Sequence, residues 1–326
     1  MTNRIVQFDL IRGLCMLYIV GLWHFNNYLG QEYQFSPIVS EWLQYLTIAV
    51  LATFTFISGY MLRKYEFHSR SDVVLFYYKR LQRFYLLFLL SAVSLFLMRW
   101  MSGSQFLNLI SGLALFSSQP VKTIWYISMI MLLYAITPLI RWNVKSRVEI
   151  SSLIIVGIAV LLFGLLFSIG HADERLLLYT PAYFIGLFTW KLPTKRINWV
   201  YILVVSILVF VLSILKLSSY PVLQHCIVAL SGGASIIALG FIVPIIHGSK
   251  IIISFLAYCS MAVYLFHRQF FGISLYLFGV RGNGEPYLPL WLALIVLVIT
   301  FLCSWLIQKG YDTLITKSNR VVFGKS

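Results

Sequence analysis

Charge is the resource this chain has least of. Only 11% of its 326 residues are charged, and ten of those are acidic. A soluble globular domain carries about 25% charged residues. With 60% hydrophobic residues, the chain has too little polar surface to cover itself in water. Polar linkers, low-complexity tracts and internal repeats are also missing. That excludes a string of soluble modules and leaves a single domain over 1–326. The four cysteines, Cys15, Cys226, Cys259 and Cys303, lie inside apolar runs without metal-binding or redox spacing. They read as small buried hydrophobes, and no metal site is expected.

What is present is a series of charge-free runs. Residues 13–31, 42–62, 123–140, 150–172, 197–215, 217–249 and 286–308 are each continuous, close to the roughly 20 residues that cross a bilayer as a helix. Shorter runs at 84–98, 176–190 and 251–267 can span with polar flanks snorkelling outward. Lipid offers the backbone no hydrogen-bond partners, so the spans must be helices or a closed barrel. Continuous apolar runs exclude the alternating strands of a barrel. The expected fold is therefore all-α, a polytopic transmembrane bundle of about ten spans: 5–28, 38–62, 80–99, 122–142, 149–169, 175–190, 197–216, 222–246, 251–277 and 288–310. The first stretch reads as a spanning helix rather than a cleavable signal peptide.

The net charge of +15 is mostly a matter of position. If the N-terminus is cytoplasmic, the inside segments hold eighteen of the 25 basic residues and the outside loops hold five. This is the positive-inside pattern. It places both termini in the cytoplasm and argues against a nucleic-acid partner; the partner is the lipid bilayer. The segment SGSQFLNLISGLALFSSQP (102–120) lies between two outside-facing ends. A full crossing there would invert the charge bias downstream, so it is expected as a re-entrant or interfacial helix. RGNGEPYLPLW (281–291) is turn-rich and reads as an outer connector, or alternatively as part of an acceptor site.

Against this background a few ionisable groups stand out. Within FDLIRGLCMLYIVGLWHF (8–25), Asp9 and Arg12 are spaced i, i+3 and share a helix face, and His24 follows deeper in the run. Intramembrane Arg and His are functional candidates by default. The plain alternatives are a snorkelling Arg12 and a satisfied core His24. In YYKRLQRF (77–84), Lys79, Arg80 and Arg83 enter the membrane from the inside. Arg80 and Arg83, three apart, are expected to face one way and offer forked donors to phosphate. In YLFHRQFF (264–271), His267 is either a buried structural imidazole or a second site residue.

These stretches, taken in order, resemble the acyltransferase-3 family of integral membrane O-acyltransferases. FDLIRGLCMLYIVGLWHF is similar to its Arg- and His-bearing first helix, and FISGYML (56–62), with Ser58, to its Ser-Gly signature. KRLQR (79–83) resembles its Arg-x-x-Arg motif, TIWYIS (123–128), with Trp125, a Trp-Tyr helix start, YFIGL (183–187) a Gly-containing segment, and YLFH (264–267) the late His motif. The resemblance implies transfer of an acyl group, acetyl first among them, from cytoplasmic acetyl-CoA or another acyl-CoA to a hydroxyl of an exported or lipid-linked glycan. It implies a multi-pass protein of a bacterial plasma (inner) membrane. It casts His24 as general base or acyl-handling group and Arg12 as an electrostatic partner for the donor, with Asp9 placed to neutralise Arg12 in part or fix its rotamer. Lys79, Arg80 and Arg83 would hold coenzyme A phosphates. The alternative is a transporter or flippase for a lipid-linked or small polar substrate, since intramembrane Arg and His also suit transport.

One departure makes a physical demand. The family pattern places ten residues between Arg and His, whereas this chain has eleven, from Gly13 to Trp23. At 100° per residue, i+11 returns to within about 20° of the same face, but i+12 falls about 120° away. Either a π-bulge absorbs the extra residue, with Gly21 the plausible place, or Arg12 swings its long side chain around.

Overall fold

The computed structural model describes residues 5–33, 41–116, 124–142, 150–216, 219–245, 250–280 and 288–323. Residues 117–120 of the expected re-entrant segment and 281–287 of the turn-rich outer loop lie outside these. Helices account for the architecture. The first run breaks into α1 (Val6–Met16), a π-helix π1 (Leu17–His24) and α2 (Phe25–Tyr33), followed by α3 (Glu41–Leu62). Next come α4 (Arg70–Arg80), a second π-helix π2 (Leu81–Tyr85) and α5 (Leu86–Leu97). Then follow α6 (Gly103–Ile110), α7 (Trp125–Ile140), α8 (Ile150–Ser168), α9 (Arg175–Phe188) and α10 (Arg196–Lys216). The chain closes with α11 (Pro221–Ile242), α12 (Lys250–Leu277) and α13 (Leu290–Phe323). Among the described residues the only β contact is an isolated bridge between Phe67 and Trp142.

Among the described residues, eight helical segments are long and apolar enough to cross a membrane: Val6–Gly30, Trp42–Leu62, Arg70–Leu97, Ile150–Ser168, Arg196–Leu215, Pro221–Ile242, Lys250–Leu277 and Leu290–Lys317. The other two expected spans form the shorter apolar helices α7 and α9, about 24 and 21 Å long at 1.5 Å per residue. The fold is thus the expected polytopic helical bundle. In the segment at 102–120, Ser102 and Gln105 form a reciprocal capping box that starts α6. Gly112, at φ +78°, ends it. At eight residues α6 is about 12 Å long, far too short to cross.

By packing, the chain divides into two compact units. The first holds 1–11, 41–78 and 101–245. Its centre is the crossing of α3 with α9. A Cβ on Gly59 would run into the Tyr183 carbonyl, and one on Gly186 into the Phe56 carbonyl. Each glycine is what lets the other helix's backbone in, the close-approach device of membrane helices. These are the glycines of FISGYML and YFIGL. The Ser58 hydroxyl beside them donates to the Phe54 carbonyl of its own helix at 2.9 Å. Trp125 opens α7 under the Arg175 guanidinium, which lies 4.4 Å from its ring. Asp173 fixes Arg175 through contacts of 2.7 and 2.5 Å. Asp9 also belongs to this unit.

The second unit holds 12–40, 79–100 and 246–326. Here α12 is the axis. Gly13 lets α1 approach Leu256 of α12. Ser91 of α5 donates to the Leu265 carbonyl at 2.6 Å, and Gln269 donates back to Ser91 and Ser94 at 3.1 and 2.9 Å. Where lipid leaves polar groups few partners, such links specify how helices pair. α13 joins through Tyr258, whose hydroxyl donates to Asp312 at 2.6 Å, and through Tyr311, whose hydroxyl donates to the Gln82 carbonyl inside π2.

Candidate active site

The spacing problem of the first helix is resolved by π1. Over Leu17–His24 the helix widens, and the Phe25 N–H reaches the Val20 carbonyl five residues back. One residue is absorbed without an added turn, and Gly21 lies within the widened segment. Arg12 and His24 then address the same helix. The Arg12 guanidinium donates to the Ser260 hydroxyl at 3.2 Å. The His24 ring stacks on His267 with centroids 4.6 Å apart and planes 17° apart. Tyr264 lies 5.9 Å from His24. Ser260, Tyr264 and His267 are spaced i, i+4, i+7, one face of α12.

The histidine pair is chemically asymmetric. His267 is 1% exposed, and its Nδ1 sits 2.8 Å from the Tyr264 carbonyl and 3.2 Å from that of Val263. A carbonyl only accepts, so Nδ1 carries the proton, and in the neutral ring Nε2 holds the lone pair. That Nε2 and the Nδ1 of His24 are both buried without a protein hydrogen-bond partner. An orphaned buried polar group costs about 1–3 kcal/mol, and such exceptions call for a reason such as catalysis. A neutral imidazole with a free nitrogen takes a proton from a hydroxyl in the usual manner of a general base. His267, expected to be either structural or a second site residue, is buried in direct contact with His24.

The basic cluster lies at a junction between two helix types. Arg80 ends α4 and Arg83 lies within π2. The wider turn thus begins between them. Arg80 is half-buried, while Lys79 and Arg83 are exposed. The helix start thus carries three cations within five residues, one half-buried and two exposed. Arg12, His24, Lys79, Arg80, Arg83 and His267 all fall in the second unit. Asp9, Ser58 and Trp125 fall in the first.

Sequence reasoning missed Ser260 and Tyr264, although their spacing from His267 on an otherwise apolar helix was a readable signal. It also missed Glu32, which pairs with Arg268 at 2.8 Å across 236 residues of sequence, a contact no local pattern marks.

Searches among curated proteins and among solved structures return no match. The acyltransferase-domain model of the acyltransferase-3 family matches residues 5–309, a range that contains both π-helices, the histidine pair and the basic cluster. This chain is a membrane acyltransferase of the acyltransferase-3 family.

Proposed function

We propose that the protein moves an acyl group, acetyl in the simplest case, from cytoplasmic acyl-CoA to a hydroxyl of a cell-envelope or exported glycan in a bacterial inner membrane. The observation that carries this reading is the His24–His267 stack with its two buried, unpartnered nitrogens. His24 accepts the proton of the acceptor hydroxyl as its oxygen attacks the thioester carbonyl. The carbonyl carbon–sulfur bond breaks, the proton passes to the departing thiolate, and ester and free thiol result. His267 sets the orientation of His24 by stacking, its own tautomer fixed by the Tyr264 carbonyl. Arg12, held by Ser260, supplies a positive charge on the same face of the first helix. Lys79, Arg80 and Arg83 fit the phosphates of the donor, since guanidinium forks match phosphate oxygens.

Purified protein incubated with radiolabelled acetyl-CoA and a glycan panel tests this. His24→Ala is expected to lower turnover about 10²–10⁴-fold, the contribution of a general base, with donor binding kept. Arg83→Ala is expected to raise the donor KM with kcat nearly unchanged. Normal turnover in His24→Ala, or no transfer and no thioester hydrolysis across the panel, overturns the proposal.

A further inference from the structure

Among the described residues, four helices end in the same hydrogen-bonded turn, in which the residue past the end takes positive φ and the next N–H reaches back five residues. The reaching pairs are Leu113 to Asn108, His171 to Leu166, Val280 to Leu275 and Trp100 to Leu95. Three of these turns place glycine at the positive φ, namely Gly112, Gly170 and Gly279. The fourth places Arg99 there, at φ 60°, a conformation that costs a non-glycine residue about 1–2 kcal/mol. Strain held at one position invites the question of what it holds in place. Arg99 turns Trp100 back onto the second unit. Trp100 lies 6.0 Å from the Tyr28 ring, and both rings crowd Gly272, where a Cβ would come within 2.9 Å of the Tyr28 hydroxyl and 3.0 Å of Trp100. The Arg268 guanidinium lies 5.4 Å from Tyr28 and 5.6 Å from Trp100 and is paired with Glu32. This group adjoins the histidine pair through Phe271, which packs at 5.4 Å on His267 and at 5.8 Å on Tyr28.

We infer that Tyr28, Trp100, Arg268 and Glu32 form the acceptor-binding cage, and that it takes a neutral pyranoside ring through a vicinal diol. The inference rests on the acyl-transfer reading for its role, but the site stands on its own geometry. Arg268 and Glu32 neutralise each other, so the cage has no net charge to spend on an anion. The Glu32 side chain is 40% exposed and can accept a hydrogen bond from one hydroxyl of the diol, while the neighbouring diol oxygen accepts from the guanidinium. A carboxylate on the sugar would face Glu32 and be repelled. The half-buried Trp100 offers its remaining open surface to the C–H face of the ring.

Binding of methyl hexopyranosides and methyl hexopyranosiduronates to the full chain in nanodiscs, measured by calorimetry without donor, tests the cage. The neutral glycoside is expected to bind at least tenfold more tightly than the uronide. Glu32→Gln should shrink that ratio several-fold by admitting the uronide. Trp100→Ala should weaken the glycoside about tenfold, on the scale of one aromatic contact, and Trp100→Phe should restore most of it with an unchanged melting temperature. Equal binding by wild type and Trp100→Ala, or a uronide bound as tightly as the glycoside, overturns the cage. Acyl transfer measured in parallel separates the two readings. Transfer that survives with cage-independent binding sinks the cage alone. Cage-dependent binding without transfer supports the cage and sinks the acyl-transfer reading.

Discussion

Removing Gly21 tests whether π1 exists to keep Arg12 and His24 in register. In the intact chain these residues are twelve apart, and a uniform α-helix would set them about 120° apart. With Gly21 deleted they are eleven apart, and a uniform α-helix sets them within about 20°. The deletion should therefore turn π1 into ordinary α-helix and leave the His24–His267 contact in place. If the segment were already α-helical, the same deletion would rotate His24 by about 100°. At a radius of about 5–6 Å that carries its ring about 8 Å, clear of His267. The assay needs no substrate. In a background with Cys15, Cys226, Cys259 and Cys303 replaced, His24→Cys and His267→Cys are bridged by a short methanethiosulfonate cross-linker and scored by gel shift after proteolysis between them. The bridge is expected in the parent and in the deletion. It should be lost when an alanine is inserted after Gly21, since π1 has already absorbed one residue. Loss of the bridge in the deletion, with parental bridging intact and the protein still folded, refutes the account of π1.

Three further outcomes follow from the packing. Gly59→Ala and Gly186→Ala should each destabilise by about 1–3 kcal/mol through overpacking, read as a lower melting temperature in detergent, and together by less than the sum, since they share one crossing. Arg99→Gly should raise stability by about 1 kcal/mol by relieving the positive φ; an unchanged or lower melting temperature would contradict the strain. Burial alone would push the Asp173 carboxyl up, but hydrogen bonds from the Arg175 side chain and N–H, with its charge, hold it below its usual range. A lowered carboxyl stabilises the fold fully above its ordinary value near pH 4 and loses that contribution as pH falls through the folded value. Asp173→Asn should accordingly flatten the acid limb of the melting temperature below about pH 4 and lower the plateau above it.

The reach of sequence reasoning follows the range of the physics involved. Spans are local, because a run of about 20 apolar residues announces itself, and every expected crossing carries a helix. The demand for a bulge between Gly13 and Trp23 was also local, an angle counted along one helix, and π1 meets it. The pairing of His24 with His267 needed two helices to meet, and nothing in either stretch specifies the other. FISGYML and YFIGL were recognisable as signatures, but only the crossing shows that Gly59 and Gly186 clear a path for each other's backbone. A second π-turn begins between Arg80 and Arg83, and there no spacing anomaly in the sequence marks it.

From Leu290 to Tyr311, α13 climbs about 32 Å at 1.5 Å per residue, close to the roughly 30 Å hydrocarbon thickness of a bilayer. Tyr311 is the residue that grips the Gln82 carbonyl of π2. Through that contact α13 fixes π2, and the basic turn of Lys79, Arg80 and Arg83 that it carries, at a set height along its own span. A bilayer thickness that forces α13 to tilt is therefore expected to move π2 with it.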